Sequence, residues 1–367
     1  MTTHHIDATI LRTYDVRGVI GETLGVRDAL ALGAAFGTVI ARRHGCEVAV
    51  GIDGRLSSPA LAEALVRGLA GTGMNVTRIG LGPTPMLYYA STVLGAHGAI
   101  MVTASHNPAD ENGFKMLIHD HAIHGDTIQE LGRIAVAGAY RIGEGSVSDR
   151  AILDEYVDRL LHDHEPGYPL TVAWDTGNGA AGPAVARLTA RLPGRHILLN
   201  EMVDGTFPVH HPDPTQPASL DQLRAVVRQN DCDLGLAFDG DGDRLAAVDG
   251  EGRVLWGDRI LLLLAEDLLR ACPGATVIGD ITASQVLFDE VARLGGRPLM
   301  WRTGHSVIKA KIAETGALLA GEASGHIFFS DRYYGYDDAL YAAIRLLNLL
   351  GRSDHSLAAL RDRMPRT

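Results

Sequence analysis

The sequence predicts an α/β protein of three tandem, similar α/β domains with mixed sheets, and two observations carry that expectation. The first is length, since 367 residues exceed one ordinary core and suit two to four domains. The second is an internal repeat with a period of roughly 105 to 120 residues, far longer than a solenoid unit. Each copy has an apolar strand ending in aspartate, then a polar turn, a helix, a glycine and another strand. Strands joined through helices on a sheet define the α/β class, with functional loops at the carboxyl ends of the strands.

In the first copy the strand is Val48–Asp53 (V-A-V-G-I-D), and Ser58-Pro59 opens the helix. Serine can cap that helix and proline fits its first turn. Leu61, Leu65 and Leu69 share one helical face, and Asn75–Ile79 is the next strand. In the second copy Val172–Asp175 leads to a helix with Val185, Leu188 and Leu192 on one face, then to a strand over His196–Leu199. The third runs from Val277–Asp280 past Ser284 to a helix with Leu287, Val291 and Leu294, followed by Leu299–Trp301. The joints fall near residues 150 and 253, which gives domains over 1–150, 151–253 and 254–367.

Composition is globular, with 46% hydrophobic and 21% charged residues. A formal charge of -11 with no offsetting basic stretch argues against nucleic acid or an anionic membrane as partner. It also requires that any cations for an anionic substrate be gathered locally. Cys46, Cys232 and Cys272 are isolated and form no C-x-x-C, which predicts a reducing compartment and buried, inert thiols. The first residues hold no apolar signal core, and no apolar run reaches membrane-spanning length, so a cytoplasmic location is expected.

Chemistry concentrates in a few loops. Phe238–Arg244 reads F-D-G-D-G-D-R after an apolar strand over Asp233–Phe238. Three carboxylates on alternate positions, spaced by glycine, repel one another and resist burial unless a cation offsets them. Oxygen-only donors favour Mg²⁺ or another hard cation over zinc. An EF-hand is excluded, because its sixth position is Arg244 and its twelfth Gly250. A solvated acidic turn is the plain alternative. Gly98–Val102 is another buried strand, and T-A-S-H-N-P (Thr103–Pro108) places Ser105 on an exposed strand-end turn. Serine is a weak nucleophile that needs a base or metal nearby, and the hydrolase elbow G-x-S-x-G does not fit. An ordinary polar turn remains the alternative here.

Gly177–Gly182 matches G-x-G-x-x-G between a strand and a helix, with Glu201 ending the next strand at the place of a ribose-binding acid. Two residues separate the strand from the first glycine, and the sister repeats lack the pattern, so a tight turn is preferred over dinucleotide binding. Gly321–His326 (G-E-A-S-G-H) gathers Glu322, Ser324 and His326 in one turn, a set suited to polyol hydroxyls. Thr303-Gly304-His305 sits at a further strand end, while Tyr14–Gly18 and Asn112–Lys115 add exposed cations. No P-loop occurs.

Together these residues resemble the α-D-phosphohexomutase family, in its phosphomannomutase/phosphoglucomutase branch. The motifs are Y-D-V-R-G at Tyr14, T-A-S-H-N-P at Thr103, N-G-F-K at Asn112, F-P-V-H-H-P-D-P at Phe207, D-G-D-G-D-R at Asp239, T-G-H at Thr303 and G-E-A-S-G-H at Gly321. The resemblance implies an active-site cleft between the domains and an isomerase that moves phosphate between C1 and C6 of mannose or glucose through a bisphosphorylated intermediate. It implies that Ser105 carries a phosphoryl group, with Ser105, Asp239, Asp241 and Asp243 holding one Mg²⁺. Arg17 and Arg244 are implied to stabilise phosphoryl charge through the bidentate guanidinium fork. Lys115 and His305 are the candidates for proton transfer and phosphate contact. Tyr14, Thr303, Gly304, His305, Glu322, Ser324 and His326 would bind substrate. Hexose 1,6-bisphosphate is the implied activator, hexose phosphates are the only implied partners, and a monomer is expected.

Two departures qualify the resemblance. Where the family often has lysine after the third-domain strand, this chain has Asp280-Ile281-Thr282. The family's fourth domain, with a loop that grips the non-reacting phosphate, has no counterpart before Met364–Thr367, which implies impaired turnover by this chain. A non-catalytic sugar-phosphate binding protein is the alternative from another class, and a dehydrogenase using the turn at Gly177 a third.

Overall fold

The computed structural model describes residues 3–119 and 121–365. They form two compact units: one runs to Tyr156 and includes Asp204–Thr206, and the other takes Val157–Val203 and the chain from Phe207 onward.

The first unit contains strands β1 (Val16–Val19), β2 (Glu47–Ile52), β3 (Asn75–Leu81), β4 (Gly98–Val102), β5 (Glu111–Ile118), β6 (His121–Ala122) and β7 (Val147–Asp149). They order as β1-β5-β4-β2-β3-β7, with β6 on β5. The β4-β2-β3-β7 part is parallel, and β1-β5-β4 is antiparallel. Helices α1 (Val26–Arg42), α2 (Ser58–Ala70), α3 (Thr84–Leu94) and α4 (Asp126–Ala137) connect them. Strand β4, central in the sheet, with β2 parallel on one side and β5 antiparallel on the other, is buried at every position. Phe36 of α1, Leu65 of α2, Ile100 of β4 and Phe114 of β5 belong to one apolar core.

Helix α5 (Leu153–His162) leads from the first unit into the second, which carries two sheets. Strands β8 (Leu170–Asp175), β9 (Gly194–Leu199), β10 (Leu234–Phe238), β11 (Leu245–Asp249) and β12 (Val254–Leu255) order as β12-β11-β10-β8-β9, with helices α6 (Gly182–Thr189) and α7 (Asp221–Gln229). Trp174 of β8 stacks on Phe238 at 6.1 Å between ring centres, which anchors the end of β10 where the acidic loop begins. After α8 (Gly257–Ala271), strands β13 (Thr276–Asp280), β14 (Arg297–Trp301), β15 (Leu319–Gly321) and β16 (Ile327–Phe329) order as β14-β13-β15-β16. Helices α9 (Gln285–Arg293), α10 (His305–Thr315), α11 (Ala339–Gly351) and α12 (Leu357–Arg363) complete the chain. All three sheets mix parallel and antiparallel pairs, which is the expected class.

The three repeats are visible as β2-α2-β3, β8-α6-β9 and β13-α9-β14. Details depart from the sequence expectation. Ser284 caps α9 through Val286 N, but Ser58 does not cap α2. Ser58 is the first residue of α2, one place inside the cap position, and its hydroxyl donates to Asp53 Oδ1 at 2.6 Å. Leu192 and Leu294 lie just past their helices, and Glu201 lies beyond β9, which stops at Leu199. Cys232 is buried as expected, but Cys46 is exposed and Cys272 half-buried, because both sit at element ends outside the cores.

Helices α1 and α2 cross through glycine. A methyl at Gly33 would stand 2.2 Å from Leu65 O, and one at Gly68 equally close to Leu30 O. In an isolated helix, replacing Gly68 by alanine would gain about 1 kcal/mol of propensity. Here the obstacle is backbone and cannot swing aside, so overpacking at a cost of about 1–3 kcal/mol wins. The expected result is that Gly68→Ala lowers unfolding free energy in a denaturant titration, while Arg67→Ala on the exposed face leaves it nearly unchanged.

Candidate active site

In the first unit the site is a turn after β4, not an exposed loop. Ser105 is only 1% accessible and has a left-handed φ of 53°. The turn folds inward because Thr103 Oγ1 accepts from Ser105 N at 2.9 Å, drawing the peptide back over the strand end. Ser105 Oγ lies 3.2 Å from His106 Nδ1. Arg17, on β1 opposite Gly113, reaches across the sheet end to this turn. Its Nη1 donates to Ala104 O at 3.0 Å and to Asn107 Oδ1 at 2.5 Å, while Asp15 accepts from Nε at 2.7 Å. Lys115 is buried within β5 rather than exposed, with Met101 of β4 as its strand partner. Tyr14 is half-buried just before β1. The turn therefore holds Arg17 on both sides of Ser105, at Ala104 and Asn107, whereas Lys115 and Tyr14 are placed on neighbouring segments of the same unit.

In the second unit Asp239, Asp241 and Asp243 follow β10 and are all fully buried. Asp239 Oδ1 accepts from the backbone N–H groups of Asp243 at 3.1 Å and Arg244 at 3.2 Å, which curls the loop around one carboxylate. Gly242, at φ 72°, supplies the left-handed residue this curl needs. One oxygen from each aspartate lies within 4.8 Å of the others. At that spacing each like-charged pair repels by about 3 kcal/mol even at an effective dielectric near 20. The three oxygen donors thus suit a hard divalent cation such as Mg²⁺, and a solvated acidic turn is not what forms.

The third repeat supplies a cationic and hydroxyl-bearing border to that loop. Arg244 pairs with His326 across a strand-like bridge, and its Nε donates to His326 Nε2 at 3.0 Å. A ring accepting at Nε2 carries its proton on Nδ1, which lies 2.9 Å from Asp337 Oδ2 and 3.5 Å from Asp243 Oδ1. Burial opposes protonation of His326, but Asp243, Asp337 and Glu322 together outweigh it and raise the pKa. Asp337 in turn receives Lys309 Nζ at 2.8 Å. Burial pushes the Asp337 carboxyl up, yet Lys309 and His326 hold it well below the usual carboxylate range.

Glu322 is a brace as well as a candidate ligand. Its two oxygens accept from Gly304 N at 2.7 Å and from Ser324 Oγ at 2.9 Å, tying the Gly304 turn to the Glu322–His326 turn. His305 is the first residue of α10 rather than a loop residue, because Gly304 breaks the chain direction and the helix begins at once. Thr303 Oγ1 donates to Asp280 Oδ2 at 2.7 Å, and Thr282, in the position where lysine was looked for, donates to the same oxygen at 2.6 Å.

Sequence reasoning missed Arg55, Lys309, Asp337 and the ion pair of His210 with Asp175. Arg55, Lys309 and Asp337 lie in no motif, since each acts through a partner far along the chain, whereas His210 lies in F-P-V-H-H-P-D-P and Asp175 ends a repeat strand without either pattern showing that they pair. The glycine-rich turn also has a physical explanation: Ala180 N donates to Gly240 O at 2.9 Å, and a methyl at Gly179 would stand 2.7 Å from that oxygen. Its glycines admit the backbone of the metal loop.

Repeated α/β/α units, each with its chemistry at strand ends, and a buried tri-aspartate loop define a class of metal-suited α/β protein. Comparison makes the class specific. Models of phosphoglucomutase/phosphomannomutase alpha/beta/alpha domains I, II and III match residues 8–139, 154–252 and 256–367. A phosphomannomutase/phosphoglucomutase of Pseudomonas aeruginosa is 44% identical over 359 residues, covering 96% of this chain and 77% of that protein. A phosphoglucomutase of Neisseria gonorrhoeae is 40% identical over 99% of this chain and 79% of its own length. The crystal structure of a phosphoglucomutase/phosphomannomutase family protein from Burkholderia thailandensis superposes with a TM-score of 0.95 at 44% identity, covering 98% of this chain and 80% of that one. The chain belongs to the phosphoglucomutase/phosphomannomutase family and is an isomerase. Among the described residues, no helix is long and apolar enough to cross a membrane.

The segment beneath the metal loop makes a pH prediction. Gly240 N donates to Pro212 O at 3.2 Å, and nearby His210 Nε2 lies 3.0 Å from Asp175 Oδ2. That carboxylate raises the His210 pKa against partial burial. A raised folded pKa means the stabilisation is fully present below the ordinary histidine range and is lost as pH rises through the folded value. His210 is expected to titrate above about 6.5 by NMR, and Asp175→Asn to bring it down.

Proposed function

We propose that the chain interconverts hexose 1-phosphate and hexose 6-phosphate, of mannose, glucose or both, through phosphoserine at Ser105. The observation that carries this reading is the buried Asp239-Asp241-Asp243 cluster, which a divalent cation would complete. Ser105, Asp239, Asp241 and Asp243 would hold Mg²⁺, which when bound neutralises phosphoryl charge and so makes phosphorus open to attack. On the same reading the three repeats are the functional domains, joined near residues 150 and 253.

The chain's own groups divide the work. A sugar hydroxyl oxygen forms a bond to phosphorus as the bond from phosphorus to Ser105 Oγ breaks. The hydroxyl proton passes to a base, for which Lys115 and His305 are the candidates, and Ser105 Oγ takes up a proton with His106 Nδ1 at 3.2 Å. Arg17 and Arg244 face the moving charge with guanidinium forks, a role supported by the bonds that hold each at its loop. Glu322 and Ser324 border the metal loop and suit sugar hydroxyls, with Thr303, Gly304 and Tyr14 completing the substrate contacts; His326, buried and engaged at both ring nitrogens, serves the substrate side by holding Arg244. Hexose 1,6-bisphosphate would serve as activator by restoring the phosphate to Ser105.

Two measurements test this. Incubation with glucose 1,6-bisphosphate and Mg²⁺ is expected to add one phosphate to the intact mass, mapped to Ser105, and Ser105→Ala to add none. An unchanged mass would favour a non-catalytic sugar-phosphate binder. Isothermal titration with Mg²⁺ is expected to show one site, weakened by at least about tenfold in Asp241→Asn, equivalent to roughly 1.4 kcal/mol.

A further inference from the structure

The turn that carries Ser105 rests on a group outside every motif that marks the site. Arg55 follows β2, and its side chain is wholly buried. Its guanidinium donates to four main-chain carbonyls of one loop. Nη2 reaches Ser105 O at 2.8 Å and Asn107 O at 2.6 Å; Nη1 reaches Glu111 O at 3.0 Å and also Pro108 O. Asp53 steadies the fork from behind, with Oδ2 at 3.2 Å from Arg55 Nε and Oδ1 accepting from Arg55 N at 3.0 Å. Ser58 Oγ donates to that same Oδ1, and Asn112 Nδ2 donates to Ser58 Oγ at 2.9 Å. The bonds thus run from the end of β2 to both flanks of the Ser105 turn.

Burying two ions costs several kcal/mol each, so a pair of this kind persists where its bonds fix something that apolar packing would leave loose. Four carbonyls on one planar fork are a strong geometric constraint, one that a flexible ammonium cannot reproduce. The constraint falls where it is needed, because serine in the left-handed region costs about 1 kcal/mol or more and must be held there. Thr103 fixes the Ser105 N–H and Arg55 fixes its carbonyl, so both sides of the residue are determined. The arginine's own backbone is backed by Asp204–Thr206: a methyl at Gly205 would stand 2.5 Å from Gly54 O and 2.8 Å from Arg55 Cα.

We propose that Arg55 is the positioning residue for Ser105, holding the turn in its left-handed form and thereby setting the direction of Oγ for phosphoryl transfer. It touches neither sugar nor phosphate. This inference rests on the phosphoserine reading above.

The test uses the whole chain with Arg55→Gln and Arg55→Lys. Single-turnover transfer from glucose 1,6-bisphosphate to Ser105 is measured with Mg²⁺ and expressed per folded molecule, using circular dichroism to count folded protein. The expected result is a fall of at least about 30-fold in maximal rate for Arg55→Gln, with the half-saturating concentration within about threefold of wild type. Arg55→Lys should lie between the two. Hydrogen exchange of the peptide over residues 103–111 should quicken in the same order, without any ligand present. An unchanged rate per folded molecule would overturn the proposal. So would loss of the fold in both variants, since the arginine would then serve the domain and not the serine. If wild-type chain never takes phosphate at Ser105, the functional reading fails instead, and exchange over 103–111 still decides whether Arg55 holds the turn.

Discussion

Three buried aspartates at the ends of parallel strands set the loops on which everything else depends. Asp53, Asp175 and Asp280 are each at most 2% accessible and occupy equivalent places in the three repeats. Each accepts from its own turn: Asp53 from Arg55 N, Asp175 from Gly177 N and Asp280 from Thr282 Oγ1. The other oxygen meets the Arg55 guanidinium in the first copy, and in the other two it recruits a partner from far along the chain, His210 for Asp175 and the Ala323 N–H for Asp280. A side chain that folds the chain locally and also anchors a distant segment is an economical way to build similar scaffolds with different chemistry on top.

The second organising constraint is that charge in this molecule is buried in compensated sets. The tri-aspartate loop has Arg244 at its edge, and Arg244 leads through His326 and Asp337 to Lys309. Such a row fixes the histidine tautomer and the guanidinium direction before any substrate arrives, which is the preorganisation that electrostatic catalysis needs. It also explains how an acidic chain can present cations to an anionic ligand, since the positive groups are few but held on the loops.

The repeat, the strand-end loops, the acidic loop and the family motifs were all readable along the sequence, because each is a local pattern of residue types. The burial of Ser105 and Lys115 was not. Polar residues beside a turn suggest exposure, and only Thr103 within the turn together with the distant partners Arg17 and Arg55 shows why it folds inward. Thr303-Gly304-His305 follows a strand, which suggests a loop, whereas Gly304 and the Glu322 brace start α10 at His305. Ser58-Pro59 marks the start of α2, but the pattern does not show that Ser58 falls one place inside the helix with its hydroxyl on Asp53.

The glycine-rich turn at Gly177 carries a wider lesson about such fingerprints. Spacing of this kind records that something polar must come very close to main chain, and it does not say what. Here the visitor is the carbonyl of Gly240, part of the same polypeptide. The turn is in effect occupied by its own protein from the moment of folding. A cofactor could enter only by evicting the loop that carries the three aspartates, so nucleotide affinity and an intact acidic loop exclude each other at this place.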